Sequence, residues 1–512
     1  MRYNSRLTRY VALTAFILVI VYLYASDRLS TSLTEQITPF KIENLSAKKI
    51  SQDIIEESVA PQTTPPTSVP AFSDNIKSFW SHWSQVFHDD GPLTGRIRLG
   101  SNAELASIST DDYGPREASM NQVLNSKSEI ESLRSSHAAV LKTLQLEDVK
   151  EDIFNGTGVV FVGGGEYYGP AIIGLLMLRR TGSTLPVEIF VADQSEYEPS
   201  LCEDYLPRYG ARCLILSRFL QEGNTSQSFE VTHYQLKSLA MLFSSFAEVL
   251  YLDSDSIPLV DPSTDLFSTE PYKSSGLVVW PDFWISTESP LFYTIAGLPK
   301  FPSNLPKSSS EAGQLLINKR THLKTLLLAI YYNIYGPNYY YPLLSQGVLG
   351  QGDKETFMAA ALVSGQSYHR VKTKVKSIGR NNGQEYKGSG MIQHHPYDDL
   401  LQSEAQASGN GSEEIVVRPA FLHANTPKMN AGHLVDEGDL FSVKHKRLRL
   451  WGSREGQEKL FGYDVEKTVW ELLLKTGCEL EEIIGEWKGR KRMCGRLEEH
   501  WDEMFLESSR PP

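Results

Sequence analysis

The sequence predicts an α/β domain with a largely parallel sheet and a Rossmann-like nucleotide-binding half, carried behind an N-terminal transmembrane helix and a stem. Three observations carry that expectation. Arg2, Arg6 and Arg9 precede an uncharged run from Tyr10 to Ala25. A stretch rich in Ser, Thr, Pro and charge follows it. From Gly158 onward, apolar runs of strand length alternate with glycine turns and helix-length segments, the pattern of βαβ units and hence of a parallel sheet.

Bulk composition excludes some classes at once. The 512 residues carry 50 Lys and Arg against 62 Asp and Glu, a formal net charge of −12, so nothing draws the chain to nucleic acid in general. Hydrophobic residues at 41% are too many for a wholly disordered chain and suffice for a substantial core. A prior of about 150 residues per domain suggests roughly three units. Fewer are expected, because the first third does not read as globular.

Residues 1–9 read as a cytosolic tail and residues 10–25 as a transmembrane signal-anchor. The run falls short of the ~20 residues that usually span a bilayer, a mismatch that the thinner membranes of the early secretory pathway reduce. A cleaved signal peptide is the competing reading. Leu23 and Tyr24 count against it, since a peptidase site wants small residues. The basic cluster keeps the N-terminus cytosolic and sends the rest into the lumen. Asn44, Asn155, Asn224 and Asn410 each open an N-glycosylation sequon. The four cysteines form two local couples, Cys202 with Cys213 and Cys478 with Cys494, which suits disulfides in an oxidising compartment, four buried thiols being the alternative. No CxxC spacing occurs, so a structural zinc site is not expected.

Residues 26–116 read as a flexible lumenal stem, too poor in apolar surface to fold. Residues 117–154 form a helical neck, with Val123, Ile130, Leu133, Val140, Leu141 and Leu144 at helical spacing as candidate buried positions. The main domain spans 155–462. Its first unit is the strand Val159–Val162, the glycines Gly163, Gly164 and Gly165, a helix from Tyr168 to Arg180 and the strand Val187–Val191. A second has a strand at Cys213–Leu216, a helix from Tyr234 to Phe246 and the apolar run Glu248–Leu252. Residues 364–411, rich in Lys, Gly, Gln and Ser, read as a long excursion that can cover a site on the domain. Residues 463–512 are a helical C-terminal extension, either packed on the domain or open to a partner.

Directly after Leu252 stand Asp253, Ser254 and Asp255. Two carboxylates at i, i+2 on the carboxyl end of a buried strand lie where ligands bind in open α/β sheets. Oxygen ligands there suit Mg²⁺ or Mn²⁺, shared with a substrate's phosphates, and the ion would neutralise charge on a departing diphosphate. A rival reading is a haloacid-dehalogenase-like phosphatase with Asp253 as nucleophile. Ile257 at the place of its Thr or Val, and a motif two βα units into the domain, disfavour it. The pair Asp398 and Asp399, with no apolar strand before it, does little to help.

Seven stretches then form a recognisable series: Gly158-Val-Val-Phe-Val-Gly-Gly-Gly-Glu-Tyr, Leu185-Pro-Val-Glu, Tyr234-Gln-Leu-Lys-Ser-Leu-Ala, Val249-Leu-Tyr-Leu-Asp-Ser-Asp-Ser-Ile-Pro, Gly276-Leu-Val-Val-Trp-Pro-Asp-Phe-Trp, Glu311-Ala-Gly-Gln-Leu-Leu-Ile-Asn-Lys and Gly352-Asp-Lys-Glu-Thr-Phe. In this order they make the chain from about Asn155 to Gly432 resemble the fungal Golgi alpha-mannosyltransferases, and most closely the alpha-1,2-mannosyltransferases that branch outer-chain mannan. The resemblance implies a GT-A-like, metal-dependent, retaining enzyme. Its donor would be GDP-mannose with Mn²⁺, Mg²⁺ being the alternative ion, and its acceptor N-glycan outer-chain mannan. Alpha-1,2 linkages are expected, with alpha-1,3 as the alternative. A single-pass type II place in the Golgi membrane, near other Golgi mannosyltransferases, is implied too. A catalytically silent mannan-binding scaffold is the third reading.

With that resemblance, Gly163 to Gly165 permit close approach of a nucleotide, where a plain tight turn is the alternative. Asp253, Asp255 and His423 are the candidate metal ligands, and Lys237 and Lys428 the cations for the diphosphate. Each alternative is bland: a surface lysine, a structural histidine. His394 and His395 are less well placed. Of Trp280 and Trp284, one is expected to stack on the acceptor sugar and one to be core. Asp282, Glu311 and Gln314 are expected to accept sugar hydroxyls. Asp353 is assigned to a sugar, with helix capping as the alternative. Asp282, Glu311 and Asp353 are thus the candidate catalytic carboxylates, and spacing names no general base.

Overall fold

The apolar runs read from the sequence become the middle strands of a seven-stranded sheet. The computed structural model describes residues 70–506 except 109–115, 150–151, 221–228, 299, 303, 349–351, 409–414 and 437, all within the unit Asp53–Pro512. The expected tail and anchor, and Asn44, Asn224 and Asn410, lie outside the described residues. Among those described, no helix is long and apolar enough to cross a membrane. Asn155 is described and exposed.

Helix α1 (Pro70–Asp89) corrects the expected stem. Ile76, Trp80, Trp83 and Phe87 follow one another at helical spacing and are all buried, with Trp80 edge-on to Phe243 at 5.3 Å. Burying side chains of this size stabilises by roughly 1.5–3 kcal/mol each, enough to hold this segment on the domain despite the polar composition around it. Helix α2 (Lys127–Leu146) is shorter than the expected neck helix. It starts at a capping box made by Ser126 and Glu129 and buries Ile130, Leu133, Val140 and Leu144, with Leu141 half-buried. Val123 precedes it and bridges Leu99.

The main sheet begins with β1 (Thr157–Val162), crosses through α3 (Tyr168–Arg180) to β2 (Val187–Val191), and continues to β3 (Ala211–Ile215), α4 (Gln235–Phe243) and β4 (Glu248–Leu252). After the short β5 (Ser256–Pro258) come β6 (Leu277–Ile285), β7 (Ser308–Asn318), α5 (Lys319–Ile334), α6 (Thr356–Val363) and β8 (His369–Arg370). The strand order is β3-β2-β1-β4-β7-β6-β8. Pairing is parallel except where β7 runs against β4 and β6. Successive residues face opposite cores: Val159, Phe161, Leu250 and Leu252 one way, Val160, Val249 and Tyr251 the other. Burial on both faces is why these strands read as unbroken apolar runs.

Residues 364–411 are not the long excursion expected. β9 (Lys376–Asn381) and β10 (Tyr386–His394) form an antiparallel hairpin, followed by α7 (Pro396–Ser408) and β11 (Pro419–His423). The hairpin turn contains Asn382-Gly383, the latter at φ 99°, a strong hairpin dipeptide hidden by the glycine-rich surroundings. These strands and β5 make a second, antiparallel sheet ordered β5-β11-β10-β9.

At the C-terminus, α8 (Val465–Leu480) and α9 (Met493–Trp501) bury Val465, Trp470, Leu473, Leu480 and Leu497 in the same core as α3. Of the two readings left open for this region, the packed one describes residues 463–506. Both cysteine couples are disulfides, Cys202–Cys213 and Cys478–Cys494, with no free cysteine among the described residues.

Candidate active site

Strand β4 delivers Asp253 and Asp255 to the carboxyl edge of the parallel strands, and two antiparallel neighbours complete the site. The Asp253 N–H donates to the Gly313 carbonyl at 2.8 Å, which fixes β7 and Glu311 beside it. Ser256 on β5 is paired with His423 on β11, and the Ala424 N–H donates to the Asp255 carbonyl at 2.8 Å. Two residues 168 positions apart, Asp255 and His423, therefore meet through a two-strand ladder, with Nε2 3.0 Å from Oδ1.

Ligand atoms of Asp253, Asp255 and His423 all lie within 4.8 Å of one another. Two carboxylates and one imidazole are the donor set of a hard-to-borderline divalent cation. Behind the imidazole, Nδ1 is 3.5 Å from Glu311 Oε1, the outer-shell carboxylate that fixes a ligating histidine's orientation. Glu311 in turn accepts the Gly313 N–H at 2.8 Å. Glu311 thus stands directly behind the His423 ring.

Cations neutralise the rest. Lys237 Nζ donates to Asp253 Oδ2 at 2.9 Å and stands 3.3 Å from Asp353. The Tyr251 hydroxyl donates to Asp253 Oδ1 at 2.7 Å. Lys428 pairs with Asp255, its side chain 40% exposed. Lys354, next to Asp353 in sequence, pairs with buried Asp282. Burial raises the Asp255 carboxyl, but His423 and Lys428 outweigh it and hold the group below the usual range. Glu311 is likewise brought down to about 2 by His423 and the lysines against burial. Burial works against a charged His423, yet Asp255 and Glu311 raise it well above an ordinary histidine. At Asp282 and Asp353 burial wins, and both carboxyls rise despite Lys354 and Lys237.

The glycine loop is closely packed. Gly164 and Gly165 have φ 100° and 48°, and a Cβ on Gly163 or Gly164 would fall 2.8 Å from Ile189 or 2.3 Å from Glu196. Those side chains fill the space a Cβ would take, so the packing of buried Gly163 and Gly164 at the end of β1 requires glycine. Lys237 is tied to two carboxylates, Asp253 and Asp353, and so anchors Asp253. Lys428 is the cation with room to move.

Trp280 is core, which corrects its acceptor role: it is 0% exposed, edge-on to Phe421, and its Nε1 donates to the His394 carbonyl at 2.9 Å. Trp284 is half-buried. Gln314 is fully buried on β7 opposite Leu252, its Oε1 accepting from Ser256 at 3.4 Å, so an acceptor sugar does not reach it directly. Asp353 does not cap α6, which has no side-chain cap; its carboxylate faces Lys237. His394 and His395 stand elsewhere, His395 near Asp265 and Asp398. Asp398 binds Arg418, and Asp399 accepts the Lys372 and Thr373 N–H groups, structural tasks that remove the second support of the phosphatase reading. Lys354, Gly313 and the outer role of Tyr251 escaped the sequence reading. Only Lys354, within a charged tripeptide, left a signal there.

Residues 156–395 match the family described as "Mannosyltransferase putative". Alpha-1,2-mannosyltransferase MNN21 of Candida albicans is 35% identical over 84% of this chain and 75% of its own length. Alpha-1,2-mannosyltransferase MNN2 of Saccharomyces cerevisiae is 29% identical over 86% of each. Among solved structures, the glycosyltransferase GlyE of Streptococcus pneumoniae aligns over 42% of this chain and 45% of its own, at 19% identity and a TM-score of 0.27.

Proposed function

The chain belongs to the family of fungal alpha-1,2-mannosyltransferases, and we propose that it moves mannose from GDP-mannose to mannose residues of outer-chain mannan, forming alpha-1,2 linkages. The observation that carries the site assignment is the Asp253–Asp255–His423 cluster at the carboxyl end of β4. Mn²⁺ is the ion proposed for it. When bound, it supplies positive charge against the diphosphate that leaves. The chain's own residues do the remainder. Lys237 and Tyr251 hold the Asp253 carboxylate in place, and Glu311 aims the His423 ring. Lys428, released from Asp255, reaches the diphosphate as a mobile cation. The glycine loop of β1 admits the nucleotide backbone-close.

Transfer from GDP-alpha-mannose to an alpha-mannoside retains configuration. Glu311, Asp282 and Asp353 each stand against a cationic side chain, His423, Lys354 and Lys237 respectively, and none is singled out as a covalent nucleophile. That supports attack from the leaving-group face, with the departing phosphate taking the acceptor proton. A GT-A-like class, and a type II place in the Golgi membrane near other Golgi mannosyltransferases, complete the proposal. They are supported by the single α/β domain and by the basic-then-apolar N-terminus.

The test is the full chain in detergent with Mn²⁺, a panel of GDP- and UDP-sugars and an alpha-1,6-linked mannose oligomer, read by product mass and linkage. The expected result is one alpha-1,2-mannose from GDP-mannose alone, abolished by EDTA. Transfer from another donor, or from none, overturns it.

A further inference from the structure

Two cavities share one lining carboxylate. The inner one, about 240 Å³, is lined by Lys428, Asn430 and His433. The outer one, about 410 Å³, is lined by Arg380, Phe441 and Val443. Asp439 lines both. Lys428 in the inner lining pairs with Asp255, which sets that cavity beside the proposed metal site, and the shared Asp439 sets the outer cavity next to it.

The lining selects a chemistry. Arg380 is buried and pairs with Asp439, which leaves exposed Lys387 as the remaining charged side chain of the outer lining. The same lining adds the neutral polar side chains of Asn382 and Ser442, groups that can bond to ligand hydroxyls. Amide, imidazole and carboxylate groups alternate along the inner wall, while Phe441 and Val443 give the outer wall an apolar face. Polar groups on one side and an apolar face on the other suit a pyranose, whose hydroxyls and C–H face need both.

We propose that this groove binds the acceptor chain, holding mannose residues beyond the one that receives the new sugar. The proposal rests on the mannosyl-transfer reading above and adds to it a site that favours long acceptors. Val443 is 45% exposed, so Val443→Trp fills the outer cavity without disturbing the core. Lys387→Ala, on the exposed rim of the same cavity, is a second variant.

The test is calorimetric binding of alpha-1,6-linked mannobiose and mannotetraose to the full chain without donor, with GDP and Mn²⁺ binding measured in parallel. Wild type should bind the tetraose about tenfold more tightly than the biose, a difference of ~1.4 kcal/mol. Val443→Trp should erase that preference, and Lys387→Ala should reduce it, with GDP affinity unchanged. An unaltered length preference in both variants overturns the proposal. So does weaker GDP binding with glycan binding intact, which would give the groove to the nucleoside. Length-dependent glycan binding lost in Val443→Trp supports the groove even where no transfer occurs, so this failure is distinct from that of the mannosyl-transfer reading.

Discussion

Gly313→Ala isolates the second layer of the metal site. Gly313 lies on β7 between Glu311 and Gln314, and a Cβ there would sit 2.7 Å from both Cε1 and Nδ1 of His423 and 3.0 Å from Glu311 Oε1. Carbon contacts settle at about 3.5–4.0 Å, so the imidazole must withdraw by roughly 0.8 Å or more. It is held at both ring nitrogens, by Asp255 at 3.0 Å and Glu311 at 3.5 Å, and no withdrawal preserves both contacts. Overpacking of this kind costs about 1–3 kcal/mol of stability. Losing outer-shell support costs about 10–100-fold in metal affinity. The assay is a Mn²⁺ titration of mannosyl transfer beside a thermal melt. The variant should stay folded, need about 10–100-fold more Mn²⁺ for half-maximal rate, and regain most of its rate at saturation. A Mn²⁺ dependence equal to wild type in a folded variant would refute the role given to His423 and Glu311.

Other residues give independent outcomes. Trp280→Phe removes the donor to the buried His394 carbonyl and should cost about 1–3 kcal/mol in urea unfolding, while acceptor KM stays unchanged; a selective rise in acceptor KM would return Trp280 to the sugar site. Lys428→Ala should lower kcat by about 100–1,000-fold, the cost of removing one preorganised charge donor, and a steady-state rate near wild type would contradict its place on the diphosphate. His137 is held at about 3 by burial, against about 6.5 when unfolded. Between those values the unfolded chain binds the extra proton, so this group's contribution is complete above pH 6.5 and falls by up to about 1.4 kcal/mol per unit as pH drops. His137→Gln should remove that slope, seen as a stability difference between variant and wild type that changes from pH 7 to pH 5; a pH-independent difference counts against it.

What the sequence disclosed was local or repetitive. The β1–α3–β2 unit, the run into Asp253 and both cysteine couples were legible because each is written in neighbouring residues. His423 and Lys428 could be picked out through the resemblance, although only the β5–β11 ladder explains why they meet Asp255. Composition misled where a few large side chains outweigh many polar ones. Trp80, Trp83 and Phe87 anchor a helix inside a segment that reads as stem, and Asn382-Gly383 turns a hairpin inside a segment that reads as loop. Charge partners were the least legible. Nothing in spacing says that Lys237 faces both Asp253 and Asp353, or that Lys354 neutralises Asp282, since each pair forms only when distant elements stack around the carboxyl edge of the sheet.

The central claim is that Asp253, Asp255 and His423 hold one divalent cation on the donor's diphosphate. It is tested most directly by titrating the full chain with Mn²⁺ in the presence of GDP and reading free Mn²⁺ by electron paramagnetic resonance, for wild type, Asp253→Asn and His423→Ala. Wild type should bind one GDP-dependent Mn²⁺ per chain and both variants should lose it, with melting curves that show them folded. Mn²⁺ bound as tightly by folded Asp253→Asn and His423→Ala as by wild type would contradict it.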